Sequence, residues 1–173
     1  MRRLLLRSAM FLMLIALGAC GEPRAASLPE AVAAALAALT AECSGVGGVP
    51  RAENAVRRAD LNGDAQDDFV LYAGWIECEN AWSIYGDREK TLSVFAGGGG
   101  GAAADAFQDW VYDAKIETGT GAPTLWLTTS ALQCGRPRAE VFAEEVFCDR
   151  AIVWDQPQFR FVYAPVSTVR MIE

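Results

Sequence analysis

The sequence predicts an α+β domain: one curved antiparallel β-sheet with an N-terminal helix packed on it, stapled by disulfides. Three observations carry this expectation. An alanine-rich segment with helical spacing of its apolar residues occurs once, ahead of Gly45. From Pro50 onward the chain consists of short alternating segments rich in Val, Ile, Phe, Trp and Tyr, punctuated by Gly, Pro and Asp, which is the pattern of antiparallel strands. Cys43, Cys78, Cys134 and Cys148 form an even set in a chain whose start reads as an export signal, the setting in which disulfides persist.

Residues 1–19 open with Arg2, Arg3 and Arg7 and continue through an apolar run that is too short for a membrane span, which needs about 20 residues. Small residues follow, completing the layout of a cleaved signal peptide. The end of this segment, Leu17-Gly18-Ala19-Cys20, resembles the lipobox of bacterial lipoproteins. That resemblance implies lipidation of Cys20, attachment to the membrane through the lipid, and a place in the cell envelope. Gly21 stands where retention at the inner membrane favours aspartate, so the implied location is the periplasmic face of the outer membrane. Each buried methylene contributes about 0.8 kcal/mol, and several acyl chains hold a protein essentially permanently. Residues 20–26, small, polar or proline, read as a tether.

Residues 27–173 read as a single domain, because a mature chain of 154 residues has room for one core and not for two. Ser27-Leu28-Pro29-Glu30 has the form of a capping box, in which the Ser27 hydroxyl and the Glu30 carboxylate each accept the other's amide. The helix it would start runs to about Glu42, with Leu28, Val32, Leu36, Leu39 and Cys43 on one stripe and Gly45 as its stop. Strands are expected at 54–58, 69–73, 91–96, 107–117, 124–128, 140–148, 151–154 and 159–163. Asp155-Gln156-Pro157-Gln158 supplies a turn between the last two, and the glycine run at 97–101 supplies a loop. Four cysteines admit three pairings. The closeness of Cys134 and Cys148 favours joining them, leaving Cys43 with Cys78, while the other two pairings stay open.

Composition excludes several classes of function. Loss of the signal peptide removes three arginines and no acids, leaving 12 basic against 22 acidic residues and a net charge of about −10. Nucleic acid is therefore not an expected partner, since phosphate binding needs clustered Lys and Arg. The chain has no histidine and no Cys-x-x-Cys spacing, which disfavours zinc. The glycine run lacks the Lys and Ser/Thr of a phosphate loop. No Gly-x-Ser-x-Gly or Ser-x-x-Lys occurs, and the acid pairs Asp67–Asp68, Glu77–Glu79 and Glu144–Glu145 are ordinary in so acidic a chain, so no enzyme activity is expected.

One motif carries chemistry. Asp60, Asn62, Asp64 and Asp68 place oxygen donors at loop positions one, three, five and nine, with the Gln66 carbonyl at position seven. Calcium takes six to eight hard oxygens, and alternate residues of a tightly wound loop can supply them. Position twelve is Leu71, where an EF-hand has glutamate, and the chain continues as a strand. Residues 60–71 resemble instead the calcium loop of FG-GAP and VCBS-type β-repeats, which implies a structural Ca²⁺ that braces a turn. Ala65 stands where that family has glycine in a left-handed turn, at a cost of about 1 kcal/mol. Such residues also form hairpin turns without any metal.

The expected function is thus that of a membrane-anchored envelope lipoprotein acting as a calcium-braced binding or interaction module. Its partner would be an envelope protein or a glycan. The alternative is an inhibitor or accessory subunit of an envelope enzyme, such as a cell-wall hydrolase. The loop from Glu77 to Lys90, with Trp82 and Tyr85, is the expected contact surface. Trp110, Tyr112, Trp126, Trp154, Phe159 and Phe161 are expected mainly to fill the core, with stacking against sugars as their other use.

Overall fold

The computed structural model describes residues 27–172, so the signal peptide, Cys20 and the tether lie outside the described residues. In chain order the elements are helix α1 (Glu30–Gly45) and strands β1 (Val49–Arg51), β2 (Val56–Ala59), β3 (Asp68–Tyr72), β4 (Glu77–Glu79), β5 (Lys90–Gly97), β6 (Ala103–Val111), β7 (Asp113–Glu117), β8 (Thr124–Ser130), β9 (Phe147–Asp155), β10 (Arg160–Tyr163) and β11 (Arg170–Met171). The fold is α+β, but the strands form several sheets and not one. A four-stranded antiparallel sheet has the order β2-β3-β5-β6, a second sheet runs β10-β9-β8-β7 with β11 added to β9, and β1 pairs with β4 as a separate ribbon.

The four-stranded sheet is the middle layer. Strand β3 reads Asp-Phe-Val-Leu-Tyr without alternation, and all five residues are buried because both of its faces are covered. Phe69 and Leu71 join Val32, Cys43, Ala55, Ile76 and Tyr85 in a cluster on the helix side. Val70 and Tyr72 join Leu92, Val94, Val111, Leu125, Leu127, Ile152 and Phe161 between the two sheets. Leu36 and Leu39 complete the helix stripe against the first cluster, as their spacing requires, and Leu28 packs on it from just ahead of the helix.

The two sheets arise from a corner inside what reads in the sequence as one strand. The expected strand 107–117 is broken at Tyr112, where the chain leaves the first sheet and enters the second. The Tyr112 amide donates to the Thr128 carbonyl at 2.9 Å, and its own carbonyl accepts the Tyr72 hydroxyl at 2.7 Å. The expected strand 140–148 is also corrected. Phe142–Glu144 form a short 3-10 turn, and β9 begins only at Phe147, absorbing the expected strand 151–154. Phe142 packs outside the core, against Phe147 and beneath the Arg88 guanidinium at 3.5 Å, while the Glu145 carboxylate accepts the Ala139 amide.

The capping box does not form: the helix start has no side-chain cap, and Pro29 takes the N-cap position. A box at Ser27 would require Leu28 to be helical, and the residue before proline is pushed out of that region. At the other end Gly45 is still helical. The stop lies at Gly47, whose φ of 82° is left-handed, with its amide on the Ser44 carbonyl at 3.0 Å. The disulfides pair as expected, Cys43 with Cys78 and Cys134 with Cys148. The first closes a separation of 35 residues and, on a chain-entropy account, contributes about 3 to 4 kcal/mol. At Gly48 a Cβ would run into both of its sulfurs.

Burial, and secondarily the charge of Asp113, push the Tyr72 hydroxyl up from 10.0 to about 12. The unfolded chain loses this proton first, so the contribution is complete below pH 10.0 and is lost as pH rises toward about 12. Tyr72→Phe is expected to flatten that alkaline fall in the unfolding midpoint, and an unchanged slope would count against the assignment.

Candidate functional site

The loop expected to bind calcium joins β2 to β3, and the Ala59–Asp68 pair of the ladder closes it. Asp60 organises its first half. One carboxylate oxygen accepts the amides of Gly63 at 2.7 Å and Asp64 at 3.0 Å, and the other accepts the amide of Ala65 at 2.9 Å. The Asn62 side-chain oxygen also accepts the Asp64 amide at 3.0 Å, and its NH₂ donates to the Asp64 carboxylate at 3.2 Å. The Gln66 amide donates to the other Asp64 oxygen at 2.9 Å. Short polar side chains bonding to nearby amides are what make Asp and Asn turn formers, so the winding of the loop follows from its residue types.

Asp68 behaves differently. It is fully buried, and it clasps the loop from the strand side. One oxygen accepts the amides of Leu61 at 2.8 Å and Asn62 at 3.2 Å; the other accepts the amide of Gly97 at the end of β5, at 2.9 Å. Burial raises the Asp68 pKa, these three amides partly oppose the rise, and the Asp64 charge adds to it. Gly97 is required here for a second reason, because a Cβ would strike the main-chain oxygen of Asp67.

Asp60, Asn62, Asp64 and Gln66 therefore share one hydrogen-bonded loop, and Asp68 fastens that loop to the sheet. Among the described residues, no three Asp, Glu or Cys side chains converge as a metal-holding group. Ala65 has the left-handed φ of 64° that the motif requires of glycine.

The other expectations divide. Trp82 in the 77–90 segment is 76% exposed, but Tyr85 is buried and its hydroxyl donates to the Leu39 carbonyl at 2.7 Å, so it serves the core beneath α1 and not a contact surface. Of the sheet aromatics Phe161 is buried as expected, whereas Trp110 and Phe159 stand exposed. What sequence reading missed is a cavity at the edge of the acidic loop. Asn62 and Asp64 share it with Trp154, Gln156 and Phe159 of the β9–β10 hairpin. Register alone gives no signal that two segments about ninety residues apart meet there.

Among the described residues no helix is long and apolar enough to cross a membrane. No protein-family model, curated protein or solved structure matches the chain. The likeness to FG-GAP loops rests on residues 60–71 alone. Ala65→Gly is expected to relieve the backbone and stabilise the fold by about 1 kcal/mol, read as a higher urea midpoint at unchanged slope. A lower midpoint would show that φ there carries no strain.

Proposed function

We propose that the chain is a lipid-anchored module of the cell envelope, attached through Cys20 and braced by calcium in the 60–68 loop, whose work is binding and not catalysis. Asp68 is the observation that carries the brace. It is a fully buried carboxylate whose three hydrogen-bond donors are all main-chain amides. Burying such a charge without a cation is costly, and a divalent ion in the loop would offset the cost.

The donor set fits that ion chemically. Asp60, Asn62, Asp64 and Asp68 would hold it through side-chain oxygens and Gln66 through its carbonyl, all of them the hard ligands calcium prefers. Asp60 Oδ2, Asn62 Oδ1, Asp64 Oδ1 and Asp68 Oδ1 each accept a single amide hydrogen and keep a second lone pair for a metal, whereas Asp60 Oδ1 and Asp68 Oδ2 already accept two. When bound, calcium supplies positive charge and a crosslink between the halves of the loop. The two disulfides support an oxidising compartment, in keeping with export.

One member of each acid pair has another engagement, which supports binding over catalysis. Asp68 is buried in its clasp, Glu79 pairs with Arg51 at 2.6 Å, and Glu145 accepts the Ala139 amide at 3.0 Å.

For the full chain in detergent, calcium is expected to raise the thermal midpoint over that in EGTA, and Asp64→Ala to abolish the difference. Equal midpoints for the unaltered chain would overturn the brace. Cys20→Ser is expected to release the protein from the membrane fraction, and undiminished membrane retention would overturn the anchor.

A further inference from the structure

The cavity beside the acidic loop has a volume of about 420 Å³, within the usual range for small-molecule sites. One wall is polar, formed by Asn62 and Asp64. The β9–β10 hairpin lines the cavity with Trp154, Gln156 and Phe159, and small residues of β5 and β6, among them Ala96 and Ala104, form the remainder. No Lys or Arg is among the lining residues.

Phe159 is the unusual member. Its φ is 50°, a left-handed conformation that glycine adopts freely and that is an outlier for a bulky residue. The residue is nevertheless 70% exposed, so the strain is not repaid by core burial. Strained residues of this kind cluster at ligand sites. Trp154, by contrast, is held firmly. It packs edge-on against the buried Phe161 at 4.9 Å between ring centroids, and its indole N–H donates to the Gln156 side-chain oxygen at 2.8 Å. That bond leaves the Gln156 NH₂ as a donor toward a ligand. Within the acidic loop the hydrogen bond from Asn62 to Asp64 sets the polar edge in advance.

We propose that this cavity is the ligand site of the module and that its ligand is a neutral saccharide. The inference rests on the binding-module reading and adds the site and the ligand class. With calcium in the loop the carboxylates of Asp60, Asp64 and Asp68 still leave a net negative charge beside the cavity, and no Lys or Arg lines it to receive an anionic ligand. A wholly apolar ligand would strip water from Asn62, Asp64 and Gln156 without replacing their hydrogen bonds. A sugar ring has both required surfaces: a C–H face for Trp154 and Phe159, and hydroxyls that donate to carboxylate and amide oxygens and accept from amide NH₂ groups.

Calorimetric titration of the full chain in detergent with glucose, N-acetylglucosamine, chitobiose and maltotriose tests this, with choline as a cationic probe. At least one saccharide is expected to bind saturably, and Phe159→Gly to weaken it at least tenfold while leaving the thermal midpoint unchanged or higher. Loss of binding without loss of stability separates a ligand contact from a structural role. Undiminished binding by Phe159→Gly would overturn the site. Saturation by choline alone would overturn the ligand class while preserving a binding module, and no heat from any probe would overturn both site and ligand. The calcium shift and the Cys20 anchor are read in separate assays, so their failure is distinguishable from any of these results.

Discussion

Strand β3 is covered on both faces, with Phe69 and Leu71 turned toward α1 and Val70 and Tyr72 toward the second sheet, and the other layers are arranged around that double burial. A strand buried on both sides has no polar face, which is why its five residues read as a nearly continuous apolar run. The same burial dictates the treatment of its first residue. Asp68 enters the interior with its charge, and the amides of Leu61, Asn62 and Gly97 surround it. One carboxylate thereby joins the core, the acidic loop and the end of β5.

Much of this was legible in the chain. The helix stripe, the alternating strands and the β9–β10 turn follow from periodicity and turn chemistry, and spacing favoured the disulfide pairings found without closing the other two. The partition into sheets was not. The run Trp110-Val111-Tyr112 interrupts the alternation within residues 107–117, but three apolar residues in a row do not say that the chain changes sheets there, where the Tyr72 hydroxyl bonds to the Tyr112 carbonyl. The ribbon strands β1 and β4 have three residues each, too few to show a period of two. The 140–148 segment misled for the opposite reason: Val141 and Phe142 look like core residues, yet both are exposed, Phe142 beside Arg88.

The loop was legible as a set of donors and not as an arrangement. Spacing placed Asp60, Asn62, Asp64 and Asp68 at alternate positions, but it could not separate Asp68, which is buried, from Asp64, which faces the cavity edge. Ala65 and Phe159 are held at φ of 64° and 50°, at or next to segments that line one cavity. Backbone strain at both ends of a shared concavity is a feature of the assembled fold. The motif announced it at Ala65, and nothing announced it at Phe159.

The bond between Cys43 and Cys78 has a mechanical consequence. Helix α1 is the first described element, so a pull from the N-terminal side reaches the body through it. Turns of the helix can peel away one after another until the load arrives at Cys43, where a covalent bond hands it sideways to β4. Beyond that point further extension must shear the ribbon of β1 and β4 or part the sheets behind it, and the helical turns ahead of Cys43 serve as a spring with a hard stop.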